Sequence, residues 1–281
     1  MGLYYHEDDP QPHKFRYIIG PAGMVIAVFG MVNHCTIIRI FLRHPSFKNE
    51  ICYRIMANLS MFEFTMAIGY FAIGIFNSFN NTFDYILENF FSGLTFAGIF
   101  GIYLCTTLIA FNRFAVLSDL PQFSCFKPAF YKAVLASIWI WCILYEALLF
   151  TPFLNFTFYY DVGMTVMSLE APLSPYLNYG IFYFNLICIG TSLFLYLATA
   201  GSLIYRRKQL NFLSEQAISK AELRILTVGF TVCLACSLDV AITYYAIKYV
   251  KPDSLPAGLL MLLVQAIVAF VNPIVYVIVN R

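Results

Sequence analysis

Long apolar runs separated by short polar segments make up almost the whole chain. Seven such runs occur, at 17–42, 52–76, 90–117, 130–153, 176–205, 220–247 and 255–279. Each approaches or exceeds the roughly 20 residues that an α-helix needs to cross about 30 Å of hydrocarbon. The pattern predicts an all-α membrane protein, a bundle of seven transmembrane helices. We expect one transmembrane domain over residues 17–281, behind a polar amino-terminal segment of residues 1–16.

The composition excludes a soluble protein. Of the 281 residues, 60% are hydrophobic and only 11% are charged, whereas about 25% of the residues in a soluble domain are charged. No soluble core could bury so much apolar side chain. The lipid bilayer is therefore the expected surrounding of most of the chain.

Basic residues are distributed unevenly between the two sides of the predicted bundle. If the amino terminus lies outside, four of the 17 basic residues are extracellular and the other thirteen face the cytosol. Loops rich in Lys and Arg stay on the cytosolic side of a membrane. The bias predicts an extracellular amino terminus and a cytosolic carboxyl terminus. The net charge is only +2, which predicts no nucleic-acid partner.

The predicted outer loops contain two glycosylation sequons and no cysteine. Asn80 and Asn155 each begin an Asn-x-Thr sequence, which is the acceptor of N-linked glycans in extracellular loops. Both are candidate glycosylation sites. All eight cysteines lie in predicted helices or on the predicted cytosolic side, so no extracellular disulfide is expected.

Two polar residues interrupt the first two predicted helices. Asn33 lies among apolar residues of the first helix, and its amide is expected to bond the second or the seventh helix. Glu63 lies near the middle of the second helix, and an acid inside a membrane is by default a functional candidate. Its carboxyl group either biases a switch by changing protonation or makes a structural hydrogen bond while protonated.

The outer halves of the later helices contain residues that could line a ligand pocket. These candidates are polar or aromatic: Glu146, Tyr183, Asp239, Tyr244 and Gln265. For the two acids a simple pairing is the alternative, with a polar neighbour for Glu146 and with Lys248 for Asp239. The loop at 154–175 is rich in aromatic residues and is either an interfacial belt or a lid over a cavity.

Two short motifs close the third and seventh helices. Asn112 and Arg113 follow a long apolar run, where an arginine is either an interfacial anchor or a functional residue. Asn272 and Pro273, with Tyr276 one turn further, lie near the end of the last helix. Proline removes a backbone hydrogen bond and kinks a helix. This stretch is therefore a candidate hinge with polar groups that can exchange partners.

Together, the seven helices and these two motifs resemble rhodopsin-like G-protein-coupled receptors. More narrowly, the chain resembles the nematode serpentine chemoreceptors, the T class first and the X class second. That narrower resemblance is carried by the sequence Cys-Tyr-Arg-Ile-Met at 52–56 with Glu63 seven residues beyond it, and by Phe-Asn-Arg-Phe at 111–114.

The resemblance implies roles for particular residues. Arg113 is expected to contact the sixth helix in the inactive state and a G protein in the active state. Asn272, Pro273 and Tyr276 are expected to form the switch of the seventh helix. The central polar network is expected to consist of Asn33 and Glu63.

The chain also departs from the receptor pattern. Asn112 replaces the usual acid, so the ion pair that restrains Arg113 is absent and some basal activity is expected. The outer end of the third helix, near Glu88, has no cysteine for the usual disulfide. Ile102 stands at the depth of the receptor sodium site, so no metal is expected. The sequence ends at Arg281, with no amphipathic eighth helix expected.

The leading hypothesis is a chemosensory receptor of the plasma membrane, with sensory cilia and olfaction as one candidate setting. It would bind a small molecule in the outer half of the bundle and activate a heterotrimeric G protein, without a cofactor or an enzymatic reaction. Two alternatives remain: a seven-helix transporter or channel, and a degenerate receptor-like protein that does not signal. Transporters usually show inverted repeats and broken helices, and neither is visible in the sequence. The oligomeric state is left open.

Overall fold

Seven long helices form the structure, a computed structural model that describes residues 15–48, 50–118, 128–159, 164–168, 171–210, 220–249 and 254–279. The helices are α1 (Arg16–Arg43), α2 (Ile51–Phe79), α3 (Tyr85–Ser118), α4 (Pro128–Leu148), α5 (Ser174–Leu210), α6 (Lys220–Tyr249) and α7 (Leu255–Val279). A one-turn helix, Pro45–Lys48, links α1 to α2. Each of the seven contains a stretch that is long and apolar enough to cross a membrane. The predicted seven-helix membrane fold is confirmed.

The helices form a bundle around a central pair. α1 packs against α2 and α7, α6 packs against α5 and α7, and α3 contacts α2, α4, α5 and α6. Within the spans, 61% of the residues of α2 and of α3 are buried, against 22–28% in the other five helices. α2 and α3 therefore form the centre of the bundle, and the other five present one apolar face outward.

Glycines allow two pairs of helices to approach closely. A Cβ added at Gly98 of α3 would lie 2.7 Å from the Met66 Cβ of α2, and one at Gly30 of α1 would lie 3.1 Å from the Ala269 Cβ of α7. Small residues let membrane helices approach closely and gain dispersion contacts. Gly30 brings α1 close to the backbone of α7 at the residues that matter for the site below.

The helix ends differ from the sequence-based boundaries by up to five residues, and two of the differences have a local cause. α3 begins at Tyr85 rather than at 90, because the Asp84 carboxylate accepts a 2.7 Å hydrogen bond from the Ile86 N–H and caps the first turn. α4 ends at Leu148 rather than at 153. The chain turns there ahead of Pro152, which disfavours helical backbone at the residue before it.

A small β-hairpin, which the sequence did not predict, lies between α4 and α5. Its strands β1 (Phe156–Tyr159) and β2 (Met164–Met167) pair antiparallel, with Phe156 opposite Met167. Phe156 and Phe158 are buried, in contact with Phe96 of α3 and Phe76 of α2 respectively. These two aromatic residues thus pack onto the helix ends. We call this end of the bundle the hairpin end, and the opposite end, where Arg113 lies, the arginine end.

Both sequons lie at the hairpin end. Asn80 caps α2 in a left-handed conformation with φ 52°, which asparagine tolerates better than most residues. Asn155 directly precedes β1 and is half-buried. Glycosylation of either residue and the extracellular position of the amino terminus stay predictions, and residues 1–14 lie outside the described residues.

Candidate functional site

Pro273 leaves a backbone carbonyl of α7 without its helical donor. Proline has no N–H, so the Ala269 carbonyl four residues earlier loses the hydrogen bond that the helix would otherwise provide. The Asn33 Nδ2 of α1 lies 3.4 Å from that oxygen and donates to it. One carbonyl earlier, the His34 Nε2 lies 3.2 Å from the Val268 oxygen. Two consecutive residues of α1 therefore hydrogen bond to the α7 backbone beside the proline.

Glu63 joins three helices at the same depth. Its side chain is 2% exposed, and its Oε1 accepts a hydrogen bond from the Asn272 amide of α7. Its Oε2 lies 3.2 Å from the Nδ1 of His34 on α1. Because α2 carries Glu63, one carboxyl group connects α1, α2 and α7. We call the set Asn33, His34, Glu63, Asn272 and Pro273 the polar seam.

The geometry of His34 requires a proton between it and Glu63. A carbonyl oxygen only accepts, so the Nε2 that faces Val268 must carry a hydrogen. The Nδ1 and the carboxylate oxygen then face each other at 3.2 Å. Without a proton, two lone pairs would repel each other there. With one proton the contact is either an ion pair or a neutral acid that donates to the imidazole.

The sequence placed Asn33 beside Glu63, and the structure places His34 there instead. Successive residues of an α-helix are rotated by about 100°, so Asn33 and His34 contact different atoms although they are neighbours in the chain. Asn33 bonds the seventh helix, one of its two expected partners. The sequence signal for His34 was available, since an ionisable residue inside an apolar run is a functional candidate.

A second acid, which is half-buried, lines the same cavity as Glu63. Asp239 of α6 accepts a hydrogen bond of 3.2 Å from the Tyr103 hydroxyl at its Oδ2. Its Oδ1 is buried and has no hydrogen-bond partner among the described residues. Asp239, Tyr103, Glu63 and Asn272 all line the same cavity between α2, α3, α6 and α7.

The cavity is small. Its volume is about 30 Å³, close to the share of one water molecule in the liquid. Sites for drug-sized ligands usually measure about 300–1,000 Å³. In this conformation the cavity fits water, so a larger ligand requires the helices around Asp239 to separate.

Two of the other predicted pocket residues lie in helix interfaces away from this cavity. Glu146 packs against Gly93 of α3, where an added Cβ would lie 2.8 Å from the carboxyl carbon of Glu146. Gln265 packs against Gly23 of α1, where an added Cβ would lie 3.0 Å from its Oε1. Neither residue lines the central cavity, so the structure does not bring them together with Asp239.

The two predicted pocket tyrosines face outward. Tyr183 is 60% exposed and Tyr244 is 48% exposed. The buried or half-buried positions around Tyr183 are 181, 184, 185, 188, 189 and 192, which is the spacing of one helix face. Tyr183 falls off that face and points away from the bundle. Of the five predicted pocket residues, Asp239 is the one that lines the cavity.

Arg113 is held at the arginine end by its neighbour. Its side chain is 7% exposed, and its Nη2 donates a 2.7 Å hydrogen bond to the Asn112 Oδ1. A neutral amide thus stands where the receptors that the sequence resembles have a carboxylate. It holds the guanidinium by a hydrogen bond rather than by an ion pair. The side chains of 220–225 at the start of α6 lie outside the described part of the chain, so contact of Arg113 with that segment stays a prediction.

Aromatic residues pack around the arginine end of the bundle. Tyr196 of α5 is buried and lies in electrostatic range of Arg113. It packs on Gly229 of α6, where an added Cβ would lie 2.9 Å from the ring carbon that bears the hydroxyl. The ring of Tyr276 packs edge-on against Phe41 of α1, with centroids 5.2 Å apart. The last turn of α7 is therefore packed against α1.

The hairpin is fastened to α3 by two side chains. The Asn89 Oδ1 accepts a 2.8 Å hydrogen bond from the Phe156 N–H, and the Glu88 Oε1 accepts one from the Phe158 N–H. This is the position of the disulfide that is usual in the receptors the sequence resembles, and no disulfide was expected here because the outer end of the third helix has no cysteine. The seven cysteines in the described part of the chain are unpaired. Cys125 lies outside it.

Comparison with known proteins identifies the fold. No protein-family model and no curated protein matches the sequence. Among solved structures, squid rhodopsin resembles the chain with a TM-score of 0.76 and 15% sequence identity, over 98% of this chain and 85% of the rhodopsin chain. At this identity the likeness shows the fold alone. The chain has the rhodopsin-like seven-helix fold of a multi-pass membrane protein.

Proposed function

We propose that the protein is a G-protein-coupled receptor for a small external molecule. The proposal rests above all on the contact between Glu63 and Asn272. This contact ties a buried acid that lines the central cavity to the residue before Pro273. A ligand that changes the cavity can therefore change the packing of the helix that contains the hinge.

The proposed ligand site is the part of the cavity around Asp239 and Tyr103. The buried Asp239 Oδ1, which has no partner among the described residues, favours a ligand that carries a positive charge or a hydrogen-bond donor. Entry of such a ligand would separate α6 from α3, because the Tyr103–Asp239 hydrogen bond joins these helices directly. Glu146, Tyr183, Tyr244 and Gln265 have no direct role in this proposal.

The response is a shift between two packings of the same bundle. The polar seam restrains α7, and the hydrogen bond between Asn112 and Arg113 restrains the arginine end of α3. A ligand must prefer the active packing by about 5.5 kcal/mol to change a 1:99 balance into 99:1. Freed from Asn112, Arg113 would contact a heterotrimeric G protein.

The narrower assignment is a nematode serpentine chemoreceptor of the T class, with the X class as second choice. The motif at 52–56 followed by Glu63, and Asn112 with Arg113, support it. The distribution of basic residues supports an extracellular amino terminus, and the proposed location is the plasma membrane, sensory cilia included. In this orientation Asn80 and Asn155 would be open to glycosylation.

The test is nucleotide exchange by a purified G protein with the reconstituted chain, across a panel of volatile and amine ligands. We expect at least one ligand to accelerate exchange, and Arg113→Gln to abolish that acceleration while ligand binding persists. Tyr183→Phe, on the outward face, serves as the matched control and should respond like the wild type. Ligand-evoked current or flux without G protein would identify a channel or transporter instead. Ligand binding without exchange would identify a receptor-like protein that does not signal.

Substitution of Asn112 tests the restraint on Arg113 separately. An amide accepts a weaker hydrogen bond from guanidinium than a carboxylate does, so we expect wild type to show basal exchange and Asn112→Asp to lower it. The measurement is ligand-free nucleotide exchange for the two proteins at equal surface density. Equal rates would contradict the expected basal activity.

A further inference from the structure

We propose that His34 of α1 and Glu63 of α2 together form a binding site for one proton, and that this proton holds α1 and α7 onto α2. The Nδ1 of His34 lies 3.2 Å from the Oε2 of Glu63, and both side chains are buried. The site belongs to the polar seam. Its ligand is the proton itself, which is distinct from the small external molecule proposed above.

The atoms around the pair determine how many protons it holds. The Nε2 of His34 faces the Val268 carbonyl, which only accepts, so this nitrogen carries a hydrogen. The Oε1 of Glu63 accepts a hydrogen bond from the Asn272 amide and needs no hydrogen of its own. The remaining two atoms, Nδ1 and Oε2, have no hydrogen-bond partner elsewhere among the described residues. One hydrogen between them satisfies both, and this is one more than a neutral imidazole and a carboxylate hold together.

The surroundings of Glu63 favour the protonated pair. The described titratable groups that line its cavity or lie in its electrostatic range are phenols, thiols and one acid: Tyr103 and Cys105 of α3, Cys236 and Asp239 of α6, and Tyr276 of α7. Each of these groups is either neutral or negatively charged. None of them attracts a bare carboxylate, and an unpaired charge in an apolar interior is costly.

The folded pair therefore holds a proton that the unfolded chain releases near neutral pH. Ordinary histidine and glutamate side chains have pKa values of about 6.5 and about 4.3. Above about pH 6.5 the unfolded side chains are a neutral imidazole and a carboxylate, so folding takes up one proton. Stability then falls as the pH rises, until the folded pair also releases its proton. Over that range the equilibrium constant for unfolding rises about tenfold per pH unit.

Loss of the proton would weaken the contact of three helices at the hinge. The lone pairs of Nδ1 and Oε2 would face each other, and the carboxylate would be an unpaired charge. Asn33 and His34 bond two carbonyls of α7 beside Pro273, so displacement of His34 also loosens α1 from α7. The proton thus favours the closed packing of α1, α2 and α7. This inference is independent of the proposed receptor function, because the site requires neither a small-molecule ligand nor a G protein.

The test is reversible unfolding of the purified full chain in mixed micelles from about pH 6.5 to about pH 8, the range above the ordinary histidine pKa. Wild type is compared with Glu63→Gln. The introduced amide can donate to the His34 Nδ1 and accept from Asn272, so it keeps both contacts without an additional proton. We expect the unfolding constant of wild type to rise about tenfold more per pH unit than that of Glu63→Gln. The comparison cancels the titration of thiols and exposed groups, which both proteins share.

Asp239→Asn is the matched control, because it removes the other acid that lines the cavity and should keep the pH dependence of wild type. Equal pH dependence of wild type and Glu63→Gln would overturn the proposal. So would a dependence that is lost in Asp239→Asn and kept in Glu63→Gln.

A second measurement requires no variant and so does not depend on the folding of Glu63→Gln. Wild type is unfolded in weak buffer at about pH 7.5 with an indicator dye, and it should release about one proton per chain. Release of no proton would overturn the proposal.

Discussion

Glu63 and Asp239 are two acids that line one cavity, the first buried and the second half-buried, and they differ in how their oxygens are satisfied. Each oxygen of Glu63 faces a nitrogen, Oε1 the Asn272 amide and Oε2 the His34 imidazole. Asp239 has one donor, the Tyr103 hydroxyl, and one buried oxygen without a partner in the described part of the chain.

The difference separates a structural role from a binding role. A buried carboxyl group stabilises a fold only when its lone pairs are matched by donors or protons. Both oxygens of Glu63 face nitrogen atoms of α1 and α7, so removal of Glu63 should destabilise the bundle. Asp239 has a donor for one of its two oxygens among the described residues, so its Oδ1 is available to water or to a ligand. Four substitutions test this division, from the largest expected effect to the smallest.

Glu63→Ala should cost the most stability. It leaves the Asn272 amide and the His34 Nδ1 without their shared partner, and each unsatisfied buried group costs about 1–3 kcal/mol. The measurement is reversible unfolding in mixed micelles. The matched control is Asp239→Ala, which removes an acid from the same cavity and should cost clearly less. Equal losses for the two would contradict the division of roles.

His34→Ala should come next. It leaves the Oε2 of Glu63 without its partner in a largely apolar interior, and an unsatisfied buried group costs about 1–3 kcal/mol. Cys35→Ala is the control, because Cys35 is the next residue of α1 and is exposed. Unfolding of both variants under the same conditions measures the difference. If His34→Ala unfolded like Cys35→Ala, the His34–Glu63 contact would carry no stability.

The bond from Asn33 to α7 should depend on the proline. An interhelical hydrogen bond in a membrane protein contributes about 0.6 kcal/mol on average, and we expect Asn33→Ala to lose roughly that amount. In a Pro273→Ala background the Ala269 carbonyl regains a helical donor, so Asn33→Ala should lose much less. A double-mutant cycle measures this coupling. Equal costs in the two backgrounds would show that Asn33 does not compensate for the proline.

Asp239→Asn should affect stability least and ligand response most. The amide keeps an acceptor for Tyr103, so we expect a stability change within about 0.5 kcal/mol. The loss of the carboxylate should weaken the binding of any cationic ligand to the proposed receptor. Ligand-dose curves in the exchange assay measure this, with Tyr244→Phe on the outward face as control. An unchanged dose curve for Asp239→Asn would remove Asp239 from the proposed ligand site.

Local sequence properties predicted the elements of the bundle well. Apolar length decides whether a segment can span a bilayer, and all seven predicted spans correspond to helices in the structure. Pro273, next to Asn272 in the last helix, was also recognisable as a site of freed backbone groups. The β-hairpin was missed because its strands of four residues depend on packing against α2 and α3 rather than on an internal pattern.

The candidate site was predicted in part. Glu63 and Asn272 were both identified from sequence, and their direct contact was not. Tyr183 and Tyr244 were assigned to a pocket from their depth alone, and the structure turns both outward. The depth of a side chain in the membrane follows from its position along the span. The direction in which it points depends also on the rotation of the helix about its axis, which the sequence does not give.

The sequence by itself determined that this chain crosses a membrane seven times and which residues bring polar atoms into it, because both follow from apolar length and residue type. The tertiary structure alone decided that His34 rather than Asn33 faces Glu63, and that one Asp239 oxygen has no partner among the described residues. The free energy of hydrophobic burial does not depend on the direction of a contact, whereas that of a hydrogen bond depends on its angle and distance. Partners that lie far apart in the sequence are therefore chosen only when the helices pack.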